Sequence, residues 1–239
     1  MIVIKYRGRL GNWLFQYCLG RIVALKTGLK LKTKPIRGFV NTYQQFDGIN
    51  LSRFPYLFNK QVTYTDENFD FDDLSNERAI RLYGFFQKLK LYQGYPVKEW
   101  LQIDNLFEAN PQDVVVHIRI GDYVKLKRML PAEFYLKSIN LAQPRKLYIC
   151  TDSPKSDFLN PFHKFNPEIV NLDTIKSFQF IKSFKKIIIS QSTFSWWASY
   201  LSSAEEIYFP KIYTCEKLFN WNNDDLIPNE KRYVIVEKI

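Results

Sequence analysis

Residues 114–124, VVVHIRIGDYV, set two polar side chains into an apolar run. In an extended strand Val114, Val116, Ile118 and Ile120 share one face, while Val115, His117 and Arg119 share the other. Arg119 is a permanent cation whose planar fork of donors suits phosphate oxygens. Gly121 can adopt backbone geometry closed to other residues, so the strand is expected to end there, leaving Arg119 at its C-terminal end. That is the end at which open α/β sheets bind ligands. Asp122 has two readings: a general base that takes a proton from an acceptor hydroxyl, or a salt-bridge partner that orients Arg119. Glu133, just after Pro131, is a second candidate base and also reads as a first-turn helix acid. Asp152 closes the strand-like KLYICTD, where a ribose contact, a loop contact or an Asx-turn is expected.

Two further stretches favour an anion. In YRGRLGNWLF, residues 6–15, a strand runs through Gly8 and Gly11 into a helix; such a turn brings backbone amides close to a phosphate, and an ordinary tight turn has the same pattern. In KKIIISQSTFSWWASYL, residues 185–201, an apolar strand meets a run of hydroxyls and then an aromatic helix. Ser192 or Thr193 can cap that helix, and its first N–H groups form an anion site. Trp196, Trp197, Tyr200 and Leu201 read as core packing.

These residues need elements to carry them. Strand-like runs recur as MIVIKY, DVVVHIRI, KLYICT, KKIIIS, EIYFP and YVIVEKI, separated by helical spacings. In GNWLFQYCLGRIVALKTG the apolar stripe is Leu14, Phe15, Leu19, Ile22, Val23 and Leu25, ending at Gly28. Strands alternating with helices predict parallel sheets with crossover connections. Residues 33–79 give no clear pattern. EANPQD, residues 108–113, suggests a division into residues 1–110 and 111–239.

The chain has 239 residues and a net charge of +10, unevenly spread. Residues 66–77, DENFDFDDLSNE, hold six acids and no base; setting these apart from the 24 acids leaves 34 basic residues against 18 acids. Such a field attracts nucleotide phosphates, nucleic acid or an anionic membrane surface. No run reaches the length of a membrane span, and the opening MIVIKYRGRLGN lacks a signal-peptide core, so a cytoplasmic protein is expected, with peripheral contact with an anionic membrane left open. Cys18, Cys150 and Cys215 have neither disulfide-framework nor metal-ligand spacing and read as reduced, near-core thiols. Asp70-Phe71-Asp72 is the DxD candidate of a rival metal-dependent glycosyltransferase; its setting reads as a solvated loop or helix approach. A nucleic-acid-binding module is the other rival, weakened because the aromatics follow apolar periodicities and no nucleic-acid motif appears.

GRLGNWLFQY, YGFFQ (83–87), VHIRIGDYV and ISQSTFSWWASYL, in this order and spacing, resemble the α-1,2-fucosyltransferases of glycosyltransferase family 11, related to GDP-fucose enzymes with an HxRRxD-type motif. The resemblance implies an α/β, GT-B-like fold of two Rossmann-type halves, an N-terminal acceptor-side half and a C-terminal donor-binding half with the donor cleft between them. It implies inverting, metal-independent transfer of fucose from GDP-fucose to a glycan or glycolipid hydroxyl, α-1,2 to galactose, with no cofactor and no nucleic-acid partner. Arg119 would bind the donor pyrophosphate, with His117 close to the nucleotide; Ser192, Thr193, Phe194 and Ser195 would line the phosphate loop. Gly8, Gly11 and Asn12 would approach from the other half. Three positions depart from the pattern. Ile120 replaces the second arginine, Trp13 replaces the glutamine of GNQLFQ, and Ser177 stands where an acid would contact guanine, a role Asp173 is near enough in sequence to share. The departures keep open a catalytically altered nucleotide-sugar-binding relative or a transferase with another donor.

Overall fold

A computed structural model of the chain describes residues 1–43, 61–74, 77, 79–211 and 223–237. The chain divides into two compact units, Met1–Ile103 and Asp104–Ile239. Cys215 lies outside the described residues; Cys18 and Cys150 are buried free thiols, as expected.

The first unit contains β1 (Ile2–Ile4), α1 (Leu10–Thr27), β2 (Leu31–Lys32), β3 (Val62–Tyr64), β4 (Ile80–Leu82) and the short α2 (Val97–Trp100). Its strands form a parallel sheet in the order β2-β1-β4-β3, with Ile80 opposite both Ile2 and Val62. The loops after β1 and β4 therefore leave the same end of neighbouring strands. Helix α1 buries Leu14, Phe15, Leu19, Ile22 and Val23 and closes on Gly28 at φ +68°. Leu25, assigned to the same stripe from sequence, is instead 60% exposed.

The second unit contains β5 (Val114–Ile118), α3 (Gly121–Lys125), α4 (Ala132–Ala142), β6 (Leu147–Thr151), β7 (Glu168–Val170), α5 (Thr174–Lys182), β8 (Lys186–Ile188), α6 (Thr193–Tyr200), β9 (Glu206–Pro210) and β10 (Tyr233–Val236). Its sheet is also parallel throughout, in the order β10-β9-β8-β5-β6-β7. The chain runs outward from β5 through β6 to β7, then returns to β8 on the opposite side of β5. This is the doubly wound order, and its reversal lies between β5 and β8, the position at which open α/β sheets bind ligands. Both units are thus α/β with parallel sheets, as the alternation of strands and helices predicts.

Strand β5 is buried along its whole length. Val114, Val116, Ile118 and Ile120 pack into one core with Phe134, Tyr135 and Ile139 of α4, so the alternation in the sequence holds, and Ile120 continues the apolar face. The strand stops at Ile118, one residue before Arg119. Gly121 does not supply a left-handed turn; it starts α3, and its small size leaves room for the Asp152 carboxylate. Among the described residues no helix is long and apolar enough to cross a membrane.

Candidate active site

Arg119 leaves β5 directly at the β5/β8 reversal, and its side chain is 21% exposed. Two carboxylates hold its guanidinium. Asp122, from the first turn of α3, accepts from Nη2 at 2.7 Å, and Asp152, just beyond β6, pairs with Nη1 at 2.8 Å. The other oxygen of Asp152, Oδ1, accepts from the Ile120 amide at 2.9 Å. Side chain and backbone of the Arg119 turn are therefore fixed by one acid from the neighbouring strand. Neither two-carboxylate grip nor backbone anchor is readable from sequence, because β5 and β6 become neighbours only through sheet pairing. A guanidinium carries five N–H donors, and the two pairs engage one on each terminal nitrogen.

The other side of the reversal is a hydroxyl network. His117 Nδ1 lies 2.7 Å from Ser190 Oγ, and Ser190 Oγ lies 3.2 Å from Ser195 Oγ. Ser195 Oγ also donates to the carbonyls of Ser190 and Ser192 at 3.3 and 3.2 Å. Ser192 caps α6, its Oγ accepting from the Phe194 amide at 3.3 Å. The Phe194 ring tilts over the His117 imidazole, with 5.3 Å between centroids, and Phe178 of α5 meets Phe194 edge-on. His117, Ser190 and Ser195 are all buried, so they shape the loop from within, whereas Thr193 and Phe194 are half-buried at its surface. Burial pushes the His117 pKa down to about 4, against an upward pull from Asp152. Ser190 was missed as a site residue in the sequence reading; the signal was its place in SQSTFS, but its histidine partner lies on another strand. Tyr123 was missed too: its hydroxyl donates to the Gln191 carbonyl at 3.2 Å and ties α3 to this loop.

Thus Arg119, Asp122, Asp152, His117, Ser192, Thr193, Phe194 and Ser195 gather around the β5/β8 reversal of the second unit. Ser177 and Asp173 sit at the start of α5: Ser177 Oγ donates to the Leu172 carbonyl at 3.0 Å, and Asp173 caps the helix by accepting from the Ile175 and Lys176 amides. Glu133 is in the first turn of α4, as its position after Pro131 predicts.

In the first unit, Gly8 takes φ +73°, and a Cβ there would overlap the Asn12 side chain, whose Cγ would stand 2.9 Å away. Asn12 Oδ1 accepts from Gln87 Nε2 at 2.8 Å, joining the GRLGN and YGFFQ motifs beyond β1 and β4. Gln16 exchanges two 2.9 Å hydrogen bonds with the backbone of Arg7, and the Arg7 guanidinium lies 4.8 Å from the Tyr83 and Phe85 ring centroids. Gly11 is buried in α1, and Trp13 is 39% exposed beside Tyr6. Asp70 and Asp72 are exposed, with Asp70 Oδ1 accepting from the Asp72 amide. Among the described residues no three metal-ligating side chains are grouped.

Residues 162–231 match the family model of glycosyl transferase family 11, a segment that includes α5, β8, the SQSTFS loop and α6. The fold is similar to that of the NodZ α-1,6-fucosyltransferase soaked with GDP-fucose, with 13% identity over 86% of this chain and 93% of that one and a TM-score of 0.50. It is also similar to POFUT1 in complex with GDP, with 12% identity over 84% of this chain and 94% of that one and a TM-score of 0.46. No curated protein sequence matches the chain.

Proposed function

We propose that this chain is an inverting glycosyltransferase that moves fucose from GDP-fucose to a glycan hydroxyl without a metal ion, the galactose 2-hydroxyl being the position its motifs imply. The observation that carries the reading is a fixed guanidinium just after β5 and a capped helix N-terminus after the adjacent β8, linked through Tyr123, whose ring lies 5.8 Å from the Arg119 guanidinium and whose hydroxyl donates to the Gln191 carbonyl; the helix side lies in the segment that matches glycosyl transferase family 11. Breaking the anomeric C–O bond of a nucleotide sugar leaves negative charge on the β-phosphate. Arg119 and the first amides of α6 are preorganised donors for that charge, which is what a leaving-group site without a metal requires. Asp122 is the base in this scheme: with Oδ1 held by Arg119 at 2.7 Å, its other carboxylate oxygen takes the proton of the acceptor hydroxyl as that oxygen attacks the anomeric carbon from the face opposite the departing GDP.

The test is a transfer assay with GDP-fucose and a panel of galactosides, with and without EDTA. The expected result is GDP release with a fucosylated product whose linkage is read by NMR, at a rate that chelation leaves unchanged. Activity lost with EDTA and restored by manganese would move charge stabilisation to a metal at Asp70 and Asp72. Transfer from a different nucleotide sugar alone would keep the phosphate site and replace the donor.

A further inference from the structure

We propose that Asp152 is a positioning residue that aims Arg119 at the donor diphosphate, and that Gly121 exists to admit it. The proposal rests on the phosphate site assigned above and adds a route: Asp152 acts on the ligand through Arg119 instead of touching it.

Three observations converge. Asp152 Oδ2 holds Arg119 Nη1 at 2.8 Å while Oδ1 holds the Ile120 amide at 2.9 Å, so one carboxylate fixes both the guanidinium and the main chain that carries it. Both oxygens are thereby engaged within the protein. Asp152 directly follows the last residue of β6, Thr151, which lies opposite Ile118 in the sheet, so the residue is anchored at the end of a rigid element. Finally, a Cβ on Gly121 would overlap Oδ2 and stand 3.3 Å from Cγ of Asp152. Any larger residue there must displace the carboxylate.

The sign of one substitution separates this from a simple charge effect. A carboxylate near an anion site repels the anion, so Asp152→Asn should tighten binding if charge were all that mattered. Positioning predicts the reverse, because the amide removes the charged partner of Nη1 and frees the guanidinium to swing. GDP affinity would be measured by calorimetry for the wild type, Asp152→Asn, Gly121→Ala, Arg119→Ala and the Asp152→Asn/Arg119→Ala pair, with melting curves beside them. The expected outcome is GDP binding about tenfold weaker in Asp152→Asn and Gly121→Ala, with folded, cooperative melts, and a double variant no weaker than Arg119→Ala alone. Unchanged or tighter GDP binding by Asp152→Asn would overturn the proposal, as would losses that add in the double variant. A wild type that binds GDP but transfers no fucose would defeat the transfer reading while leaving these binding results decisive. A wild type that binds no GDP would overturn both.

Discussion

At the scale of single residues the site sets a half-buried cation against a fully enclosed neutral ring. The surroundings of His117 and Arg119 differ: one is enclosed by Ser190 and Phe194, the other is 21% exposed between two carboxylates. Burial gives His117 a consequence for stability. Its pKa falls to about 4 in the folded protein, while the unfolded chain takes up the proton near the ordinary 6.5. The unfolded state therefore binds more protons between these values. The stability conferred by keeping the ring neutral is complete above about pH 6.5 and is lost as pH falls toward about 4, on the order of 3 kcal/mol over the window. Denaturant midpoints followed from about pH 7 to pH 4 should show a steep loss that is shallower in His117→Asn, whatever that variant's stability at neutral pH. An identical slope in the variant would assign the acid sensitivity to other groups. The residues that carry charge were legible in the sequence because their types are rare within apolar runs. Ser190, and the double duty of Asp152, were not, since each depends on a partner supplied by another strand.

At the scale of elements, helix α1 shows where periodicity misleads. Its stripe from Leu14 to Val23 is buried, but so are Gln16, Tyr17, Cys18 and Gly20, so the middle of the helix is covered nearly all round, and Leu25 emerges at the C-terminal turn. A six-position apolar pattern cannot distinguish a stripe from an enclosed helix that surfaces at its end. The contrast is measurable: Leu19→Ala, at 0% exposure, should cost about 2–5 kcal/mol, while Leu25→Ala, at 60%, should stay within about 0.5 kcal/mol. Equal losses in chemical denaturation would return Leu25 to the core. The central strands were legible because five-residue runs such as Val114–Ile118 and Leu147–Thr151 are apolar but for His117 and Thr151, and buried along their length. Strands β2, β3, β4 and β7 were not: whereas the equally short β1 lies in the unbroken apolar run MIVI and β8 overlaps the run III, their two or three residues (LK, VTY, IRL and EIV) each include a polar or charged one. Their positions are set by pairing, as when Ile80 lies opposite both Ile2 and Val62. Gly121 marks the same limit from the other side. A turn was expected from its lack of a side chain, but the space it leaves is taken by Asp152 from the next strand.

At the scale of the whole molecule, charge and nucleotide recognition must be separated. With 34 basic residues against 18 acids outside residues 66–77, the protein attracts any nucleoside diphosphate, and that attraction weakens as salt screens it. Contacts at the β5/β8 reversal add a fixed part, because Arg119 is oriented by Asp122 and Asp152 and is only partly open to solvent. Selection of guanine needs one thing more, an acceptor for its N1–H and amino group. Ser177 is a weaker acceptor than a carboxylate, and Asp173 already accepts two amides of α5. GDP is nevertheless expected to protect against unfolding more than UDP, ADP or CDP, since a carboxylate that accepts two amides retains lone pairs for a third donor. At a concentration roughly a hundredfold above its dissociation constant, a ligand adds about 2.7 kcal/mol, which for a chain of this size raises Tm by roughly 5–10 °C. Melts with all four nucleotides at low and high salt would divide the effect. The shared part should shrink as salt rises, and the margin of GDP over the others should persist, because base contacts made at hydrogen-bond range are not screened over a Debye length. Equal shifts at every salt concentration would reduce the site to a diphosphate cradle without base selection, and the identity of the donor would then have to come from the sugar instead of the nucleobase.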